Sequence, residues 1–153
     1  IAVETQPDLV QLHYRETLPE IQELVQKLSL KGIKVIKALR IDEDGNCNFE
    51  IKNPVQAVNK LEEIGLSAVL VDSYTDSRPG GTGVQVDVST FKLIQKQTSL
   101  PVILAGGLNP DNISPIVKAT QPFAVDVLTG VEKEPNHKSA AQIQKFMQAC
   151  QNC

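Results

Sequence analysis

Two hydrophobic periods alternate along the chain, and this alternation predicts repeated βα units. Short runs rich in β-branched and other apolar residues predict strands, and each is followed by a longer segment with apolar residues at three- and four-residue spacing, which is typical of an amphipathic helix. Strands that alternate with helices in this way indicate an α/β fold built on a parallel sheet. The predicted strands are 9–13, 34–41, 68–73, 101–106 and 123–130.

Capping residues support the predicted helices. Asn53 and Pro54 are typical of an N-cap and a first helical position, and Gly65 follows the last apolar residue as a stop signal. Pro115 is expected to weaken or kink the fourth helix. The predicted helices are 18–28, 53–65, 87–97, 109–120 and 139–150.

Glycine-bearing turns follow the last three predicted strands. In parallel α/β folds, ligands bind at the carboxyl ends of the strands, and bare backbone there can direct several N–H groups at an anion. Flexible surface turns and close helix packing are the alternative interpretations of the same glycines. The combination predicts a phosphate site formed by Gly81, Thr82 and Gly83, by Gly106 and Gly107, and by Thr129 and Gly130.

Polar side chains at the strand ends are candidates for contact with the rest of a ligand. Asp72 ends an apolar strand, where burial of an unpaired carboxylate is costly, and this favours a raised pKa and a proton-transfer role over a loop salt bridge. His13 and Asp126 are candidate ligand contacts, with structural hydrogen bonding as the alternative. Lys37 and Arg40, near the end of the second strand, are candidate contacts for an anionic group. They are three positions apart, so their side chains are expected to point to opposite faces of the sheet, and only one of them can face the ligand.

Composition narrows the class of partner. The chain has 153 residues, enough for one domain spanning 1–153, and a formal net charge of −3 without a basic cluster, which argues against nucleic acid and membrane surfaces. No stretch has the length of a membrane span, so we expect a cytoplasmic protein acting on a small molecule. The three cysteines do not form a metal-ligand pattern, and neither a dinucleotide fingerprint nor a P-loop lysine is present. We expect no metal and no cofactor.

Several motifs together resemble the phosphoribosylanthranilate isomerase family. Their order and approximate spacing match that family over nearly the whole chain, and GGTG combined with LAGGL and GVE is more specific than any fragment alone. The motifs are VQLH at 10–13, VIKA at 35–38, the strand-end Asp72, GGTG at 80–83, LAGGLNP at 104–110 and VDV-x-TGVE at 125–132.

The resemblance implies a partial (β/α)8 barrel in which the five predicted strands correspond to strands four to eight. It implies an Amadori rearrangement of N-(5-phosphoribosyl)anthranilate in tryptophan biosynthesis, with Asp72 as general acid. His13 and Asp126 would contact the anthranilate side of the substrate, and the glycine-bearing turns would hold its phosphate. Arg40 stays a candidate substrate contact on the strength of its place at the end of the second strand. The family's general-base cysteine belongs to strand one, so we expect an N-terminally incomplete copy with little activity on its own.

Two other functions stay open. Departures from the family pattern at Tyr14 and Leu128 are compatible with a related phosphosugar barrel enzyme that prefers another substrate. A non-catalytic phosphate-binding module, with the five strands in an open flavodoxin-like sheet, is the alternative from a different class. Loss of function on Asp72→Asn distinguishes an enzyme from such a module.

Overall fold

The computed structural model describes residues 1–73 and 87–151. Within these residues five strands form one sheet, and two further strands form a hairpin. The sheet contains β1 (Leu9–Leu12), β2 (Lys34–Ile41), β3 (Ala68–Ser73), β4 (Val102–Leu104) and β5 (Ala124–Val125), and the hairpin contains β6 (Glu132–Glu134) and β7 (His137–Lys138). The helices are α1 (Ala2–Thr5), α2 (Leu18–Ser29), α3 (Pro54–Glu63), α4 (Val88–Lys96), α5 (Ile113–Thr120) and α6 (Ala140–Gln151), with a 3-10 helix at Thr129–Val131.

The sheet is parallel throughout, and its strands lie in the order in which they occur in the chain. Each strand therefore connects to its next neighbour through a crossover in the same direction. Because such crossovers are right-handed, every connecting helix lies on the same face of the sheet. A doubly wound sheet needs a reversal in strand order, so the flavodoxin-like alternative is wrong.

The main hydrophobic core lies between the sheet and these helices. Buried side chains of β2, β3 and β4 that face the helices include Leu39, Val69, Val71 and Leu104. We call this side of the sheet the helix-covered face. The helices contribute Ile21, Val25 and Leu28 from α2, Ala57, Val58 and Leu61 from α3, Phe91 and Ile94 from α4, Ile113 from α5 and Phe146 from α6.

The opposite side of the sheet carries a separate, smaller cluster. Ala38, Leu70 and Ala105 are buried there, and Ile103 packs against them. Ala38 pairs with Leu70, and Leu70 pairs with Ile103, so these side chains form a row across three strands. We call this side the small-residue face.

Local capping explains where most helices begin. The side chain of Asn53 accepts a hydrogen bond from Gln56 N at 3.0 Å, and Pro54 starts α3. The Asp87 carboxylate accepts from the amides of Ser89 and Thr90 and so caps α4. Both helices lie within one to two residues of their predicted bounds.

The fourth predicted helix begins later than expected, at Ile113 rather than at residue 109. With this start, Pro115 lies in the first turn, where its missing N–H group breaks no intrahelical hydrogen bond. Residues 110–112 form a turn instead. The predicted start at 109 was wrong because Pro115 would then have interrupted the helix interior.

The last two strands are shorter than predicted. Strand β4 ends at Leu104, before Gly106 and Gly107, which both have positive φ (92° and 61°) and leave the extended region. Strand β5 covers only Ala124–Val125, because the second half of the predicted strand turns into the 3-10 helix. Helix α1 and the β6–β7 hairpin are additional elements that the hydrophobic pattern did not predict.

None of the helices in the described part of the chain combines the length and the apolar character required to cross a bilayer.

Candidate active site at the carboxyl edge of the sheet

Arg40 and Asp72 lie side by side at the carboxyl edge of the sheet. They are register partners in β2 and β3, so their side chains emerge on the same face. Arg40 Nε lies 4.0 Å from Asp72 Oδ2, and both side chains are about three-quarters buried, with 25% and 22% of their surfaces exposed. The Asp72 carboxylate is thus accessible from one side and can exchange a proton with a ligand that enters from solvent.

His13 follows β1 at the same edge and is exposed. Its Nδ1 atom lies 3.4 Å from Gln11 Nε2, and Gln11 pairs with Ile36 in β2. Ile36 is two residues from Ala38, so Gln11 and His13 belong to the small-residue face. His13 therefore shares a face with Arg40 and Asp72.

Asp126 extends this arrangement to β5. Leu104 pairs with Val125, and Asp126 N donates to Leu104 O at 2.8 Å. Continuing the register by one residue places Asp126 opposite Ala105, on the small-residue face. The four predicted side-chain contacts of a ligand thus lie on one face of the sheet, with Asp126 exposed at its far side.

Lys37 points the other way, as its parity predicted. It is buried on the helix-covered face, where Nζ donates to Tyr14 O at 2.8 Å and to Glu16 Oε2 at 2.7 Å. The Phe49 ring centroid lies 5.9 Å from Nζ. Burial acts to raise the pKa of Glu16, but the hydrogen bonds and the charge of Lys37 outweigh it, and the pKa lies below its usual value. Lys37 is therefore not on the small-residue face that carries Arg40 and Asp72.

The turn after β4 is fixed by two asparagines. Asn112 Nδ2 donates to Gly107 O at 2.9 Å, and Asn112 Oδ1 accepts from Asn109 N at 2.9 Å. Asn109 Oδ1 accepts from the amides of Asp111 and Asn112 at 2.9 and 3.1 Å. The amides of Asp111 and Asn112 in this turn are therefore occupied by the Asn109 side chain.

The turn after β5 touches the turn after β4 through the backbone. A Cβ atom at Gly130 would lie 1.8 Å from Leu108 O and 3.0 Å from Asn109 Cα. Only glycine fits this contact. Two of the three predicted phosphate-binding turns thus lie against each other, because Gly130 permits their backbones to meet.

A lysine holds the same turn from the hairpin side. Lys138 Nζ donates to Leu128 O and to Glu132 Oε1, both at 2.6 Å. The hydrogen bond from Lys138 lowers the pKa of Glu132. The carbonyl that precedes Thr129 and Gly130 is consequently fixed by an ion-paired side chain.

Gly81, Thr82 and Gly83 lie outside the described residues, so their predicted phosphate contact stays a prediction. Gly106, Gly107, Thr129 and Gly130 lie in the two turns described above. Sequence reasoning did not select Gln11, Asn112 or Lys138. Gln11 was detectable as a polar residue on the same face as His13, and Asn112 as the second asparagine of a turn, whereas Lys138 carried no comparable signal.

The side chains of the two cysteines within the described residues do not lie on the small-residue face: Cys47 bridges Ile41 in the loop after β2 and points into the main core, and Cys150 packs against that core. Cys47 is buried in the main core, and burial, followed by the charge of Asp42, raises the pKa of its thiol to about 12. Cys150 belongs to α6. Residues 1–73 and 87–151 also contain no group of three or more His, Cys, Asp or Glu side chains arranged to hold a metal ion.

The one-sided layer of helices, the parallel sheet and the charged carboxyl edge define an α/β protein similar to TIM-barrel enzymes. The family model described as N-(5'phosphoribosyl)anthranilate (PRA) isomerase matches residues 1–149. The chain belongs to this family.

Individual relatives agree with this assignment. The N-(5'-phosphoribosyl)anthranilate isomerase of Methanosarcina acetivorans is 32% identical over 143 residues, which are 93% of this chain and 60% of the relative. The crystal structure of phosphoribosyl anthranilate isomerase from Thermotoga maritima superposes with a TM-score of 0.76 at 29% identity, over 99% of this chain and 65% of that one. A structure of the isomerase in complex with reduced 1-(o-carboxyphenylamino)-1-deoxyribulose 5-phosphate has a TM-score of 0.68 at 25% identity, over 99% of this chain and 63% of that one. The chain spans about 60% of the length of the curated relatives that it matches.

Proposed function

We propose that this chain takes part in the isomerisation of N-(5'-phosphoribosyl)anthranilate to 1-(2-carboxyphenylamino)-1-deoxyribulose 5-phosphate. The observation that carries the proposal is the Asp72 carboxylate beside Arg40 on the ligand-facing edge, in a chain of this family. The reaction is an internal redox change between C1 and C2 of the sugar, so it needs no external oxidant or reductant. It belongs to tryptophan biosynthesis.

The five strands correspond, in this proposal, to strands four to eight of a (β/α)8 barrel. The chain covers 60% of its relatives' length, close to the share that five of eight βα units represent. The sequential strand order with all helices on one face is the arrangement of a barrel wall. The small-residue face would then be the barrel interior.

Asp72 acts as the general acid. It protonates the ring oxygen of the ribose, the C1–O bond breaks, and the anthranilate nitrogen forms an iminium with C1. Removal of the C2 proton by a base then gives an enol, which becomes the ketone. Arg40 Nε, 4.0 Å from Asp72 Oδ2, places a positive charge beside the negative charge that Asp72 carries after it has donated its proton.

His13 and Asp126 contact the anthranilate side of the substrate in this proposal. They lie on the same face as Asp72, on either side of it in the sheet. The phosphate binds to backbone amides of the turns that carry Gly106, Gly107, Thr129 and Gly130, supplemented by Gly81, Thr82 and Gly83. The backbone contact between Gly130 and Leu108 supports a shared cradle.

Neither cysteine within the described residues suits the role of base. The pKa of Cys47, about 12, keeps its thiol protonated, and the side chain lies in the main core. Cys150 lies on α6. We therefore expect this chain alone to turn over little or no substrate, and we expect turnover once a polypeptide carrying the first three βα units of a family member is added.

The test follows the loss of substrate fluorescence in that reconstituted mixture. Asp72→Asn should lower kcat by roughly 10² or more, the usual contribution of a positioned acid. Asp8→Asn is the matched control, because Asp8 is exposed at the amino end of β1, on the opposite edge of the sheet. Equal rates for both variants would refute the role of Asp72.

The alternative function, a related enzyme that prefers another phosphosugar, predicts a different result in this assay. A related phosphosugar enzyme would show turnover with other ribulose or hexulose phosphates and none with phosphoribosylanthranilate. Robust turnover of phosphoribosylanthranilate by the unsupplemented chain would contradict the exclusion of Cys47 and Cys150 as bases.

A further inference from the structure

We propose that Asn112 and Lys138 are positioning residues that orient two backbone amides, those of Leu108 and Thr129, toward the substrate phosphate. This inference rests on the proposed phosphate cradle and deepens it. Asn112 holds the carbonyl of Gly107, and Lys138 holds the carbonyl of Leu128. Neither side chain needs to touch the ligand.

The planarity of the peptide bond links each held carbonyl to the amide that follows. In a trans peptide unit the C=O group and the next N–H group point in opposite directions. Asn112 draws Gly107 O toward α5, so Leu108 N–H points away from α5. Lys138 draws Leu128 O toward the hairpin, so Thr129 N–H points away from the hairpin. Within residues 1–73 and 87–151, neither amide donates a hydrogen bond to the protein.

The side chains of Asn112 and Lys138 are each fixed by a second interaction. The Oδ1 atom of Asn112 accepts from Asn109 N, so the Asn112 amide group spans Gly107 and Asn109. Lys138 is paired with Glu132, whose carboxylate has a lowered pKa and stays charged at neutral pH. The two turns are in backbone contact at Gly130, so both amides lie in adjacent turns. An anion site built in this way is preorganised before the ligand arrives.

Loss of the hydrogen bond from Asn112 or from Lys138 adds a conformational cost to phosphate binding. Without Asn112 or Lys138, the peptide unit rotates among several orientations, and binding must select one of them. Because one hydrogen bond of this kind makes a modest net contribution, we expect phosphate affinity to fall by about two- to thirteenfold for each variant.

The experiment is a titration of the ¹⁵N-labelled chain with inorganic phosphate, followed by amide NMR at constant ionic strength against sodium chloride. The wild-type chain should show saturable shifts at Leu108 and Thr129. Asn112→Leu should weaken phosphate binding and reduce the shift at Leu108 most, whereas Lys138→Met should reduce the shift at Thr129 most. Lys138→Arg retains a donor and should bind nearly as well as the wild-type chain.

Two controls separate local orientation from general effects. Asn59→Leu makes the same polar-to-apolar change on the exposed side of α3, and Lys133→Met removes the same charge from the same hairpin. Both should bind phosphate as the wild-type chain does. If the NMR spectrum of Asn112→Leu shows that this variant is unfolded, the positioning role is tested by comparing the phosphate affinity of Lys138→Met with that of Lys133→Met.

The outcomes distinguish this inference from the proposed function. If the wild-type chain shows no saturable shift, the phosphate cradle itself fails, and the positioning role fails with it. If the wild-type chain binds phosphate and the Asn112 and Lys138 variants bind it as tightly as their controls, the cradle stands and the positioning role is overturned.

Discussion

Strand β2 carries Lys37 toward the helix-covered face and Arg40 toward the small-residue face, and these two cations have different surroundings. On the helix-covered face Lys37 is 1% exposed and its Nζ lies 2.7 Å from the Glu16 carboxylate. On the small-residue face Arg40 is 25% exposed and its Nε lies 4.0 Å from the Asp72 carboxylate. The first separation is that of a charge-assisted hydrogen bond, and the second exceeds it.

This difference in burial and pairing distinguishes a charge that stabilises the fold from a charge that is available for chemistry. A charge that has lost its water must be fully compensated by the protein, and Glu16 and the Tyr14 carbonyl do this for Lys37. A charge at a ligand-facing edge keeps some water that a substrate can displace. Removal of a carboxylate should therefore affect folding on one face and chemistry on the other.

The largest expected effect is that of Glu16→Ala. It leaves the Lys37 ammonium buried without its countercharge, so we expect the free energy of unfolding to fall by about 3–5 kcal/mol. Chemical denaturation measures this. Glu63→Ala is the control, because Glu63 pairs with Lys60 on the exposed surface of α3, and loss of such a pair costs about 1 kcal/mol or less. Equal losses would mean that the Lys37 pair has no special structural role.

The second prediction concerns the double variant Glu16→Ala with Lys37→Met. Methionine keeps most of the lysine stem and removes the stranded charge, so the double variant should recover at least about 2 kcal/mol relative to Glu16→Ala alone. The same denaturation experiment measures the recovery. A double variant less stable than Glu16→Ala would show that the lysine stem and its bond to Tyr14 O matter more than the charge.

Acid should weaken the Glu16 pair. The folded-state pKa of Glu16 is lowered, so its contribution is fully present above the ordinary glutamate pKa of about 4.3. The contribution is lost as the pH falls through the lowered value. The difference in unfolding free energy between the wild-type chain and Glu16→Gln should therefore shrink as the pH is lowered from about 6 to about 3.

Three other carboxylates with lowered pKa values, Glu62, Asp87 and Glu132, are present in both proteins and do not interact with Glu16, so their contributions cancel in this difference. The pKa of Glu20 is also lowered, but the charge of Glu16 acts on it, so its contribution does not cancel completely. A difference that stays constant across the range would contradict the charged pair.

The smallest expected effect is that of Asp72→Asn on stability. The Asp72 side chain keeps 22% of its surface exposed and lies 4.0 Å from Arg40, so we expect a change of about 1 kcal/mol or less in the free energy of unfolding. The same variant is expected to lose most of its turnover in the reconstituted assay. A large loss of stability would place Asp72 in the same structural class as Glu16 and remove the contrast between the faces.

The sequence predicted those elements whose signals are local. Strands β2 and β3 have the predicted bounds, because β-branched residues and flanking turns define them without help from the rest of the fold. Helices α3 and α4 carry their own caps in Asn53 and Asp87. The opposite directions of Lys37 and Arg40 followed from strand parity alone.

Features that depend on distant parts of the chain were not predictable. The alternation of side chains along β2 did not predict whether Lys37 or Arg40 would face the helices, since that depends on the handedness of every crossover. The contacts of Lys138 with Leu128 and of Gly130 with Leu108 join segments that only the folded sheet brings together. The Asp72, Arg40, His13 and Asp126 side chains share a face only because the strands pair in this register, and their roles in the chemistry stay proposals.

The burial of Cys47 gives the folded chain an internal reporter. A protonated thiol enclosed by the core cannot attack a disulfide reagent until the loop after β2 opens. The rate of labelling at Cys47, compared with that at the partly exposed Cys150, therefore measures how often this part of the protein opens under native conditions. Opening events of the helix-covered side can thus be timed without denaturant and without any engineered probe.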